Sequence, residues 1–281
     1  RFDYSGGATC PSLLLEPSRT QLFGYSEPFQ NEGPAGNVTY ESFDWAIGFV
    51  NCVKFGDNSA LRYRYGSSAV NGTQYTLSAF VIMDDLSEPV VSSNSSSGDF
   101  CLAIGGSIAD TINPNVDMGN NIWKISASRL AGGNAANNGA IKYTSQSNKG
   151  FRIVGWQMEA GSYATSYIPN HSGGSVTRGD ELATGAGTSS TFNSEEGVLY
   201  AEVSLNLLTP NMYIQISDGT YSNRVAIINN NSSSTWRVFY RVNGVSQIDA
   251  SETGLNCFET NKIAISWKLN EFKFYVNGVK I

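Results

Sequence analysis

Short runs of alternating side chains fill this chain, and their period constrains what it can fold into. Along a strand successive side chains point to opposite faces, so a sheet lying between a core and water places apolar residues at every second position. Leu61-Arg62-Tyr63-Arg64-Tyr65 has that pattern. Gln74 to Met83 is the strongest strand, and Phe100 to Ile104, Ile122 to Leu130, Ala140 to Thr144 and Phe151 to Met158 follow it. Val198 to Leu205, Met212 to Ser217, Arg224 to Ile228, Thr235 to Val242, Lys262 to Leu269 and Phe272 to Val276 continue the series. The gaps are rich in Ser, Gly and Asn, as in Ser92 to Gly98 and Gly132 to Gly139, and such residues favour turns. No segment has a helical period, and no internal repeat stands out. The pattern predicts an all-β chain of two tandem antiparallel β-sandwiches or jelly rolls.

A length of 281 residues fits two domains. Residues 1–36 read as an extended leader, broken by Gly6-Gly7, Pro11, Pro17, Pro28 and Pro34. Its one regular piece, Leu13-Leu14-Leu15, is expected to dock on a neighbour. The first sandwich is expected over residues 37–170, a Gly- and Ser-rich linker over 171–190, and the second sandwich over 191–281. Asn243-Gly244 and Asn277-Gly278 are dipeptides that type I′ hairpin turns prefer. Only three residues follow the second of them, so the second sandwich reads as incomplete at its C-terminus.

Composition excludes several functions. Charged residues are 15 % of the chain, the net charge is −6, and no Lys/Arg cluster appears in the sequence. Such a chain is a poor partner for nucleic acid or an anionic membrane. No apolar run approaches the roughly 20 residues of a membrane span. The four cysteines, Cys10, Cys52, Cys101 and Cys257, form no CxxC pair, and His171 is the one histidine, which argues against zinc. Cys52 and Cys101 lie in strand-like runs and are either a disulfide or two buried thiols.

Three stretches carry a resemblance. Pro11 to Phe29, PSLLLEPSRTQLFGYSEPF, resembles a segment of phage structural proteins that leads into a carbohydrate-binding-module-like jelly roll. Gly155 to Asn170, GWQMEAGSYATSYIPN, with Val176 to Thr184, VTRGDELAT, resembles the end of that jelly roll. Asn170 stands where the family usually has Thr, and Gly179-Asp180 where it has an Ala-Asp type of pair. Asn193 to Val203, NSEEGVLYAEV, with ISDGTYSNRV and FYVNGVKI, resembles a concanavalin A/laminin-G-like domain. The resemblance implies a tail- or head-fibre type of virion protein, non-catalytic and displayed on the particle surface. It implies a homo-oligomer, with a trimer as the form of fibres, held to other virion proteins through the leader and facing host-surface glycans. A secreted bacterial carbohydrate-binding module or adhesin, and part of a polysaccharide-degrading enzyme, are the alternatives.

Glycan binding calls for aromatic rings that stack on sugar faces, beside groups that bond hydroxyls. Trp123, Tyr63, Tyr65 and Tyr143 are the candidates in the first sandwich. Trp156 shares parity with Val154 and Met158 and reads better as core. Glycoside hydrolysis needs two carboxyl groups about 5–9 Å apart. Asp84-Asp85 and Glu195-Glu196 are adjacent on the chain and point apart on a strand, so neither makes a dyad, and no GxSxG motif exists. Glu202 projects from a strand together with Tyr200. The oxygen-rich loops at Asp117 and Asp218 are candidates for structural calcium, without EF-hand spacing. Arg178-Gly179-Asp180 reads as a chance turn in the linker, and the Asn-x-Ser/Thr sequons are expected from an Asn- and Ser-rich composition.

Overall fold

The computed structural model describes residues 2–3, 12–27, 38–57, 61–65, 69–185, 187–188, 190–192, 195–205, 208 and 212–281. Among them there is no helix. The chain divides into two units, Arg1–Ala183 and Thr184–Ile281. The strands of the first are β1 (Phe2–Asp3), β2 (Ser12–Leu13), β3 (Arg19–Gln21), β4 (Thr39–Ser42), β5 (Asn51–Phe55), β6 (Leu61–Tyr65), β7 (Gln74–Met83), β8 (Cys101–Ile104), β9 (Ser107–Ile108), β10 (Thr111–Ile112), β11 (Val116–Asp117), β12 (Trp123–Leu130), β13 (Asn138–Lys142), β14 (Phe151–Ala160) and β15 (Val176–Arg178). Those of the second are β16 (Gly197–Val203), β17 (Met212–Ser217), β18 (Arg224–Asn229), β19 (Trp236–Val242), β20 (Val245–Glu252), β21 (Asn261–Lys268), β22 (Glu271–Val276) and β23 (Val279–Lys280).

In the first unit a large sheet runs β10-β12-β7-β14-β5-β4, with β11 also on β12, and a smaller one runs β6-β13-β8-β9. Leu77, Val81, Phe100, Leu102, Ile125 and Ile153 fill the space between them. Phe151 stacks on Phe55 and on Phe100, with ring centroids 4.5 and 4.2 Å apart. The outer face of the large sheet is apolar too. Trp45, Phe49, Phe80, Ile82 and Val154 form a second cluster there, which Tyr167 joins.

A β-bulge between Val154 and Gln157 explains how β14 serves both clusters. Gly155 sits at φ +65°, and a Cβ there would come within 2.6 Å of the Phe80 ring. The extra residue reverses the parity, so Val154 faces the outer cluster while Trp156 and Met158 face the inner core. Trp156 is fully buried. The bulge also frees backbone groups of Trp156 and Met158, and Gln21 takes them. Its side-chain amide donates to the Trp156 carbonyl at 2.6 Å, and its Oε1 accepts from the Met158 N–H at 2.9 Å.

Residues 12–27 and 171–183 are bonded into the first unit, and the boundary between the two units, Ala183 to Thr184, falls inside the 171–190 segment expected to join them. β3 pairs with β15, and the Trp156 N–H donates to the Ser26 carbonyl at 2.8 Å. Glu16 pairs with Arg178 at 3.0 Å and accepts from the Ser166 N–H at 2.8 Å. The two stretches, 130 to 162 positions apart in these bonds, thus close one clasp.

The second unit packs sheet β16-β21-β22-β23 against sheet β17-β18-β19-β20. Val225, Trp236, Val238, Ile263, Ile265 and Phe274 make its core. Asn243-Gly244 and Asn277-Gly278 both have positive φ at each residue, as a type I′ turn requires.

Candidate binding surfaces

The structure divides the aromatic residues singled out in the first unit between its sheets. Trp123 opens β12 and shares parity with Ile125 and Ala127. Its ring is half-buried against the inner core, and the indole Nε1 is buried without a hydrogen-bond partner. An indole in that position offers a rim to a ligand and little of its face. Tyr143 follows β13 on the opposite sheet, at the start of the loop to β14, where its N–H donates to Gln146 Oε1 at 3.0 Å. Tyr63 and Tyr65 belong to β6, where they pair with Ala140 and Asn138 of β13; their side chains lie outside the described residues. So Tyr63, Tyr65 and Tyr143 belong to one sheet and its loop, and Trp123 to the other.

The loop carrying Tyr143 is fixed by a buried cation. Lys142 is 1 % exposed, and its ammonium donates to the carbonyls of Asp99, Ser147 and Lys149 at 3.1, 2.7 and 2.8 Å. Burial lowers its pKa, while Asp99 pulls the other way. A lysine here fills an oxygen cage of the kind that often holds a metal ion.

Asp117 and Asp218 each cap a turn of their own. Asp117 Oδ1 accepts from the Gly119 N–H at 2.8 Å. Asp218 Oδ1 accepts from the Thr220 N–H and hydroxyl at 2.9 and 2.6 Å, and its Oδ2 from Asn223 Nδ2 at 2.8 Å. Those donors hold the Asp218 carboxyl below its usual range. Among the described residues no group of three or more His, Cys, Asp or Glu side chains is placed to hold a metal. A single carboxylate already satisfied by its own turn does not fit the six to eight oxygens that calcium takes.

The Asp84-Asp85 pair is tied up in ion pairs. Asp84 is bound by Lys54 and Arg152, and Asp85 by Lys149. Ser87 and Lys149 hold the Asp85 carboxyl down at about 2. Arg178 of the Arg-Gly-Asp tripeptide is committed to Glu16 and to the Ser166 carbonyl. Cys52, Cys101 and Cys257 are free, buried thiols, and Cys10 lies outside the described residues.

In the second unit the outer face of β16-β21-β22 offers what a sugar platform needs. The register sets Tyr200, Ala264 and Tyr275 side by side, so two tyrosines stand about 10 Å apart across a small residue. Tyr200 is 52 % exposed and its hydroxyl donates to Glu202 Oε1 at 2.6 Å, which raises its pKa. The next row holds Val198, Ser266 and Lys273. There a groove of about 480 Å³ opens, lined also by Glu196, Gly197, Lys268 and Glu271. Lys268 and Lys273 hold Glu271 down at about 2, so it is ionised at neutral pH and is no general acid. Alternation in Val198 to Val203 marked Tyr200 and Glu202 in the sequence; Tyr275 needed the register.

No family model and no curated protein matches the chain. Among solved structures the chain is similar to the tripod (BppUct-A-L) from the baseplate of bacteriophage Tuc2009. The identity is 13 %, the match covers 92 % of each chain, and the TM-score is 0.30.

Proposed function

We infer that this chain is a non-catalytic structural protein of a phage particle, of the tail- or head-fibre type, whose β-sandwich units meet glycans on the host surface. One observation carries the reading: the two stretches that resemble phage structural proteins close on each other. Gln21 of the first bonds Trp156 and Met158 of the second, and Glu16 bonds Ser166 and Arg178. Residues so far apart in sequence and so closely interlocked behave as one structural module, which is how a shared architecture preserves its sequence marks.

In this reading the exposed Leu13 and Leu15 touch a neighbouring virion protein. The Tyr200/Tyr275 face takes a neutral sugar ring, with Glu202 and Lys262 within reach of its hydroxyls, and Trp123, Tyr63, Tyr65 and Tyr143 are secondary candidates. Trimeric assembly converts weak single contacts into firm adsorption. An antibody against the purified chain tests the particle assignment by immunogold microscopy of phage from the same source. Regular gold at the particle surface supports it. Gold confined to free soluble protein overturns it.

A further inference from the structure

We propose a second binding site, for the anionic groups of an acidic polysaccharide, on the outer face of the β17-β18-β19-β20 sheet. Arg224, Arg237 and Arg241 are spread along the sequence, yet the register brings them together: Arg224 stands directly opposite Arg241, and Ile228 opposite Arg237. Phe239 lies between them, 4 % exposed although it is on the outer face, because the guanidinium groups cover it. Those of Arg224, Arg237 and Arg241 lie 5.2, 5.5 and 4.6 Å from its ring centroid. Asp249 engages Arg237 in a two-pronged ion pair. It also acts over a longer distance on Arg241. Asp218, at the end of β17, is turned into its own loop by Thr220 and Asn223. Three guanidinium groups therefore share one carboxylate.

The pairing of Arg224 with Arg241 is costly for folding alone. Like charges directly opposite on neighbouring strands repel, and a protein of net charge −6 has acidic residues to spare for the position. Among the described residues the Arg224 side chain hydrogen-bonds the amide oxygen of Gln215, at 3.3 Å, and the Nε atoms of both arginines are buried without a hydrogen-bond partner. An anion between the two removes the repulsion and meets guanidinium donors in the forked geometry that carboxylate and phosphate accept. The same face presents Tyr213 and Tyr221, 37 % and 69 % exposed, with Arg224 5.4 and 4.7 Å from their rings. Anion-binding forks beside exposed aromatic rings suit a polymer that alternates charged groups with sugar or polyol units. The site is independent of the Tyr200/Tyr275 face.

The test is binding of the full chain to polygalacturonate oligosaccharides, to poly(glycerol phosphate), to a single-stranded oligonucleotide and to neutral dextran at low salt. The first probe carries carboxylates and the second phosphodiesters, so preference between them assigns the source of the anion. Binding to at least one of the two and not to dextran is expected, with a loss of about tenfold or more in Arg241→Gln and in Arg224→Gln. Tyr200→Ala should bind as before, whatever it does to neutral sugars. The thermal midpoint of each arginine variant checks that the sheet is still folded. Absence of binding by the folded chain, equal binding to dextran, undiminished binding in both arginine variants, or preference for a single-stranded oligonucleotide overturns the proposal.

Discussion

Replacing Lys142 by Met tests whether the buried ammonium holds the first sandwich together. The variant keeps most of the side-chain length and removes the charge and three donors. Left behind are the carbonyls of Asp99, Ser147 and Lys149, now without that partner in a site 1 % exposed. Each stranded buried acceptor costs about 1–3 kcal/mol, so the loss is about 3–9 kcal/mol. Against it stands the relief from not burying an ammonium, several kcal/mol, whose reality the depressed pKa of Lys142 registers. Water entering the relaxed loop rescues part of the rest. The net is a destabilisation of about 3 kcal/mol, or roughly 6–12 °C in the midpoint of a unit of this size. Scanning calorimetry reads the midpoint, and amide hydrogen exchange should show faster exchange in residues 143–150. A midpoint within about 1 °C of the parent, or above it, would refute the reasoning, because desolvation would then equal or exceed what the carbonyls gain.

Other expectations follow from the same structure. Gln21→Leu strands the Trp156 carbonyl and the Met158 N–H inside the clasp and should cost about 2–4 kcal/mol in denaturant unfolding; a loss under about 0.5 kcal/mol would contradict the role given to that amide. Burial raises the thiols of Cys52, to about 11, Cys101 and Cys257, so a disulfide reagent at pH 8 should modify these three only after unfolding; mapped modification of any of them in the native chain would disprove it. Asp85 and Glu271 are both depressed to about 2 in the folded protein, from ordinary values of 3.8 and 4.5. Their stabilising effect is present above those ordinary values and is lost as the pH falls through about 2, so the thermal midpoint should decline below about pH 4.5; a flat profile would show that these exposed ion pairs contribute nothing.

Much of this architecture is legible in the sequence, because period-two alternation is a local property. The runs from Gln74 to Met83 and from Phe151 to Met158 appear as β7 and β14, and Asn243-Gly244 and Asn277-Gly278 as positive-φ turns. What escapes is whatever depends on pairing. Parity counting placed Val154 and Trp156 on one face, and the bulge at Gly155 separates them. The proline-broken leader gives no local sign that Gln21 will satisfy a bulge 135 positions away. Arg237 and Arg241 share a face of β19 by alternation, and Arg224 joins them only through the register of β18 and β19. Trp123 invites a glycan reading by its place among Asn and Lys, while its parity with Ile125 turns it toward the core.

The most direct measurement is a glycan array probed with the purified full chain, the Tyr200→Ala and Tyr275→Ala variants, and a calcium chelator. Selective binding to a small set of glycans is expected, weakened about tenfold or more in both variants, as befits loss of a stacking ring. No effect of chelation is expected, because the Asp117 and Asp218 carboxylates are satisfied by their own turns. Bound glycans should be recovered intact. Failure of the folded wild-type chain to bind any glycan, or recovery of cleaved products, would contradict the central claim of a non-catalytic glycan-binding protein.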